Sequence, residues 1–237
     1  MWTYMGKTGP DQWQEMFPNC GGKRQSPVNI DTSEVIELVA QSPLKFTNFN
    51  KIANGNFVNN GNSMQFNPIK SEHYFQSKFL ASKNRYKFLQ LHFHWGSSNK
   101  QGSEHTIDGQ QYPLEMHIVH VNEKYANNIS LAMEMKDGLA VIGFLYTIGK
   151  TENEAFKTVQ VSAEALSQNI YHPLPIKTGL VLKDFFDVIN GSNFFAYQGS
   201  LTTPKCNEVV SWIVMQNPIS ITESQVNCNT FESLKIL

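Results

Sequence analysis

The chain has no run of the roughly 18 to 20 apolar residues needed to cross a bilayer as a helix, and Met1-Trp2-Thr3-Tyr4 lacks the basic and apolar regions of a signal peptide. Those absences leave a cytosolic protein, or one whose targeting segments have been removed. Charge is scarce: Asp, Glu, Lys and Arg form 16% of the residues with a net charge of -1, which argues against a nucleic-acid or polyphosphate binder. With 41% hydrophobic residues, a disordered chain is equally disfavoured. The three cysteines, Cys20, Cys206 and Cys228, are too few and too scattered for a cysteine zinc site, leaving either free thiols or one disulfide with a leftover. Two sequons, Asn128-Ile129-Ser130 and Asn190-Gly191-Ser192, lean toward a secreted glycoprotein.

Long helical periodicities are also missing. Gly, Pro and Asn punctuate short apolar runs, as in Asn54-Gly55-Asn56 and Asn59-Asn60-Gly61-Asn62, which predicts a sheet-rich domain. The clearest strands are Phe88 to Trp95, Leu114 to Asn122, Leu139 to Thr147 and Val209 to Met215. Helix is expected over Glu152 to Ser167, where Phe156, Val159, Ala163 and Leu166 recur at three- and four-residue intervals, and over Thr222 to Asn227. With no repeat, low-complexity tract or linker, residues 1–237 read as one domain of mainly β (α+β) class.

Five of the seven histidines fall between Leu91 and Val121. Alternation along a strand puts Gln90, His92 and His94 on one face, with Leu89, Leu91, Phe93 and Trp95 on the other. In the next strand Glu115, His117 and Val119 share a face, opposite Met116, Ile118 and His120. If the strands are neighbours, three imidazoles converge. Three neutral histidine nitrogens suit Zn2+ and leave a fourth position open, the arrangement of a catalytic site. Gln90 and Glu115, each two residues before a histidine, are placed to fix the imidazole tautomers. The alternative is a set of ordinary strand histidines, which the third histidine and the two polar partners make the weaker reading.

Gln90-Leu91-His92-Phe93-His94-Trp95-Gly96-Ser97 closely resembles the zinc strand of α-class carbonic anhydrases. Similar to the same family, in the same order, are Arg24-Gln25-Ser26-Pro27-Val28-Asn29-Ile30, Gly102-Ser103-Glu104-His105-Thr106, Glu115-Met116-His117-Ile118-Val119-His120 and Gly199-Ser200-Leu201-Thr202-Thr203-Pro204. The resemblance implies a large, twisted, mostly antiparallel central sheet with small peripheral helices and the metal at the foot of a cleft. It implies reversible hydration of CO2 to bicarbonate by hydroxide on zinc, with Thr202 and Glu104 orienting the nucleophile and His92, His94 and His117 holding the metal. Val119, Val141, Leu201, Val210 and Trp212 would receive CO2, and Thr203 would help hold bicarbonate. Tyr4 would order water in the cleft, His105 and Tyr197 would belong to a buried network near Glu115, and His120 would pack away from the metal. Sulfonamide-type and anion inhibitors are further expected ligands.

The chain departs from that pattern at Asn62, where fast members of the family carry a proton-shuttling histidine. Asparagine cannot titrate near neutral pH, so proton release should depend on buffer, with His73 as an alternative carrier. Lys205 replaces a proline common in relatives. Cys20 and Cys206 match the disulfide of extracellular and bacterial members, which places the protein outside the cell or at its surface, with lipid anchoring of a longer precursor left open. A catalytically silent binding domain is disfavoured because all three histidines, Glu104 and Thr202 are present. Esterase chemistry would be a side activity, as no Gly-x-Ser-x-Gly elbow occurs.

Overall fold

Strands form wherever β-branched and aromatic residues alternate between turn residues, and eleven of them make one sheet in the computed structural model, which describes residues 2–4, 6–37, 44–167, 169–186 and 193–226. Cys228, Asn227, the second sequon and the C-terminal five residues lie outside the described residues. In chain order the sheet strands are β1 (Lys45–Thr47), β2 (Gly55–Asn59), β3 (Met64–Pro68), β4 (Tyr74–Gln76), β5 (Tyr86–Trp95) and β6 (Leu114–Asn122). They continue with β7 (Leu139–Gly149), β8 (Leu174–Pro175), β9 (Phe194–Gly199), β10 (Val210–Met215) and β11 (Ile219–Thr222). Their spatial order is β8-β2-β3-β5-β6-β7-β10-β9, with β11 also against β7, and β1 joined to β5 through β4. Pairing is parallel only where β7 meets β10 and β11, so the sheet is mixed and mostly antiparallel.

The four expected strands are present, two of them extended at one end by two residues and one shortened by one. The longer expected helix spans Glu154–Leu166, capped by the Asn153 side chain, which accepts from the Phe156 amide at 3.3 Å. Its Phe156, Val159, Ala163 and Leu166 join the larger core with Leu91, Phe93, Met116, Ile118 and Phe144. That core covers one face of the sheet. The opposite face carries a smaller core of Val119, Val121, Val141, Val210, Trp212 and Val214, and this is the histidine side.

One expectation about faces fails at Leu89. The β5–β6 register runs Phe88 to His120 and then Gln90 to Val119, so Leu89 is an extra residue in a bulge. It packs toward the smaller core, whereas Leu91, Phe93 and Trp95 face the larger one as expected. Between β2 and β3, Gly61 adopts φ +82, a left-handed conformation open to glycine without a Cβ penalty, and the turn presents Asn60 and Asn62 beside the histidines.

Candidate metal centre

Three neighbouring rows across the sheet build the site. One row pairs Gln90, Val119, Val141 and Trp212, the next pairs Gln65, His92, His117 and Gly143, and the third pairs His94, Glu115 and Leu145. One candidate ligand nitrogen from each of His92, His94 and His117 lies within 4.8 Å of the others. Gly143 makes room beneath them, since a Cβ there would stand 3.1 Å from Glu115 Oε1. A glycine inside an apolar strand is the sequence signal for such a close approach.

The outer nitrogens are already committed. His92 Nδ1 lies 2.9 Å from Gln90 Oε1, and His117 Nε2 lies 2.7 Å from Glu115 Oε1. Both partners can only accept at those oxygens, so each ring donates there and turns a lone pair inward. His92 Nε2 and His117 Nδ1 then face each other at 3.3 Å with no proton between them, and buried His94 Nε2 has no hydrogen-bond partner among the described residues. Inward lone pairs that close repel unless a cation sits among them, so the donor set fits Zn2+. Burial holds the pKa of all three imidazoles below the usual value, which keeps them in the neutral form that a metal requires.

Glu115 anchors the surroundings. Fully buried, it accepts from His105 Nδ1 and His117 Nε2 at 2.7 Å each, and from the backbone amides of Glu104 and His105 at 2.8 Å each. Burial alone would raise its pKa, but His105 and His117 more than offset this and hold the carboxyl well below the usual range. Tyr197 extends the network, its hydroxyl 2.7 Å from His105 Nε2 and 2.8 Å from Ser26 Oγ. Glu104 points the other way, with Oε2 3.3 Å from His94 Nε2 and 3.9 Å from His117 Nδ1. Burial and the Glu115 charge raise its pKa well above the usual value, opposed by a hydrogen bond from Thr202. A dication beside it would favour the ionised form again.

The site opens into a cleft of about 190 Å³. One wall is apolar, with Val119, Val141, Leu201 and Trp212, and the other carries Asn60, Asn62, Gln65 and Gln90. Thr202, Thr203 and Tyr4 also line it. Val210 does not: it sits one register row behind Trp212, beside Leu139, sealed in the smaller core. His73 also fails as a rim carrier, being 4% exposed and packed against Phe49 and Phe88 in the larger core. His120 packs among Phe49, Phe75 and Phe88, away from the metal ligands. Trp2, Asn60, Ser63 and Gln65 were not anticipated in the cleft. The Trp2, Tyr4 and Trp13 rings form an edge-packed trio with centroids 5.3 to 5.9 Å apart, within the N-terminal segment.

The loop bearing Thr202 is tied to the N-terminal segment. Cys20 and Cys206 form a disulfide, Ser26 N donates to Ser200 Oγ at 2.8 Å, and Glu208 accepts from Arg24 N at 2.7 Å.

Three inward imidazoles at the foot of an open cleft form a set that could hold one Zn2+ ion with a coordination position left over. A family model described as eukaryotic-type carbonic anhydrase matches residues 8–235. Carbonic anhydrase 12 from Homo sapiens is 35% identical over 238 residues, covering 95% of this chain and 62% of that protein. Carbonic anhydrase 3 from Bos taurus is 30% identical over 233 residues, covering 95% of this chain and 84% of that protein. The chain belongs to the eukaryotic-type carbonic anhydrase family.

Proposed function

We propose that the protein is a zinc-dependent carbonic anhydrase that interconverts CO2 and bicarbonate, with dissolved buffer carrying the released proton. The observation that carries this reading is the convergence of His92, His94 and His117 with their outer nitrogens held by Gln90 and Glu115. Zinc bound there would supply a Lewis acid that brings the ionisation of water toward neutral pH, a role for which this family is the standard example.

The rest falls to the chain. Thr202 commits its proton to Glu104, so its oxygen is left to accept and selects an attacking group that itself carries a proton. Val119, Val141, Leu201 and Trp212 offer CO2 an apolar wall free of competing hydrogen bonds. Thr203, also in the cleft, can hydrogen-bond bicarbonate before it leaves. Apart from the three histidines and Trp2, the other lining side chains are carboxamides and hydroxyls, and Asn62 supplies no group that titrates near neutral pH. Burial and the field of Glu104 raise the Tyr4 pKa, so Tyr4 stays protonated and can order water but not carry protons. Family membership supports binding of sulfonamide-type inhibitors in the same cleft, and hydrolysis of activated esters would be a side reaction. The Cys20–Cys206 disulfide supports an oxidising compartment, outside the cell or at its surface. Among the described residues no helix is long and apolar enough to cross a membrane.

Stopped-flow CO2 hydration by the zinc-loaded protein at low and high imidazole-type buffer tests the reading. Turnover should rise with buffer in the wild type, and Asn62→His should raise turnover at low buffer while leaving kcat/KM near its original value. No hydration at any buffer would overturn the enzyme assignment. Buffer-independent turnover would overturn only the part assigned to Asn62.

A further inference from the structure

Of the two sequons, Asn128-Ile129-Ser130 falls among the described residues. It follows β6 and the turn Glu123–Tyr125, and it opens the short helix Ile129–Ala132. Asn128 and Ser130 are exposed, while Ile129 between them packs against the smaller core and pins the triplet to the surface. Neighbouring backbone sets the orientation of the Asn128 carboxamide. The Leu131 N–H donates to Oδ1 at 3.0 Å, and since an N–H can only donate, the atom facing it must be the oxygen. The amide nitrogen Nδ2 is thereby turned the other way on an exposed side chain, and it has no hydrogen-bond partner among the described residues. Leu131 beside it is 40% exposed, apolar surface that an attached group can cover. None of these residues lines the catalytic cleft.

We infer that Asn128 is a modification site carrying an N-linked oligosaccharide on Nδ2. This rests on the oxidising-compartment reading above, because the lumen in which secreted proteins form disulfides is also where such oligosaccharides are attached. In the transfer, Nδ2 attacks C1 of an oligosaccharide carried on a dolichyl diphosphate. The N–C1 bond forms as the C1–O bond to the diphosphate breaks, dolichyl diphosphate leaves with the electron pair, and an Nδ2 proton passes to a base, with no change of oxidation state. The product keeps its carbonyl oxygen, so Oδ1 still accepts from Leu131 and the start of the helix is preserved. A sugar on Nδ2 displaces solvent and breaks no hydrogen bond of the fold. A carboxamide such as that of buried Asn122, whose Nδ2 donates to Asp137, would have to give up its bonds to take one.

Peptide mapping of the protein isolated from the organism that makes it tests the site. Release of the glycan by peptide N-glycosidase in heavy-oxygen water should leave a labelled aspartate at position 128, and alkylation before and after reduction in the same digest reads Cys20 and Cys206. An unmodified Asn128 with the disulfide intact would overturn the site and leave the compartment reading standing. An unmodified Asn128 with both cysteines reduced would overturn both. Secretion from cultured animal cells gives a second measurement. Asn128→Gln would remove the helix cap together with the glycan, so the informative variant is Ser130→Ala, which leaves the Asn128 cap in place. It should be lighter than the wild type by one glycan, with CO2 hydration unchanged. Loss of no more than the serine oxygen would overturn the proposal. Because mass is read separately from hydration, that failure leaves the enzyme assignment standing.

Discussion

Replacing His120 by Phe should flatten the acid side of the stability profile. The His120 ring is fully buried, with the rings of Phe49, Phe75 and Phe88 centred 5.9, 5.4 and 6.2 Å away. Burial pushes its pKa down to about 3, against the opposing carbonyls of Ala140 and Ile118, with a small further push from His73. An unfolded chain takes up the same proton near pH 6.5. The stability that depends on a neutral His120 is therefore complete above about pH 6.5, falls by roughly 1.4 kcal/mol per pH unit below it, and is lost as pH passes the folded value. Between pH 7.5 and 5.0 the loss works out at about 2 kcal/mol. Urea denaturation of wild type and His120→Phe at both pH values reads this directly. Phe also changes absolute stability, so only the difference between the two pH-dependent losses counts, and the metal-binding imidazoles titrate in both proteins and cancel. Equal losses in the two proteins would refute the reasoning.

Glu115→Gln replaces a carboxylate that four N–H groups share, and should weaken zinc affinity by roughly 10- to 100-fold in competition with a chelator. Thr202→Ala removes the group proposed to orient the nucleophile and should lower kcat/KM for CO2 by about 100-fold, measured at saturating buffer. Cys20→Ser with Cys206→Ser opens a loop with a sequence separation of 186 and should cost roughly 2–5 kcal/mol, read from thermal or urea unfolding. Intact mass after denaturing alkylation, with and without reduction, checks the bond itself.

The convergence of the three candidate metal ligands was legible because strand periodicity is strict: in β5 and β6, residues two apart must share a face, and three histidines obeyed that rule. The same periodicity misled at Leu89, because a bulge inserts one residue and no local residue type marks it. Glu104 lies in a loop, so no alternation locates it; its place is set by its backbone amide donating to Glu115, eleven residues away. Val210 shares the face of Trp212, but position along the strand decides which of them opens to the cleft. His73 was offered as an alternative proton carrier, yet its Nε2 lies 3.2 Å from the Lys51 carbonyl and its ring packs against Phe49. The disulfide was visible only through family resemblance, since three scattered cysteines left free thiols equally open.

Glu115 has a mechanical meaning besides its electrostatic one. A single carboxylate grips the His117 ring at one oxygen and the Glu104 amide at the other. The ring of one candidate metal ligand and the backbone of Glu104 are thereby joined through one rigid planar group, so neither can shift without pulling on the other.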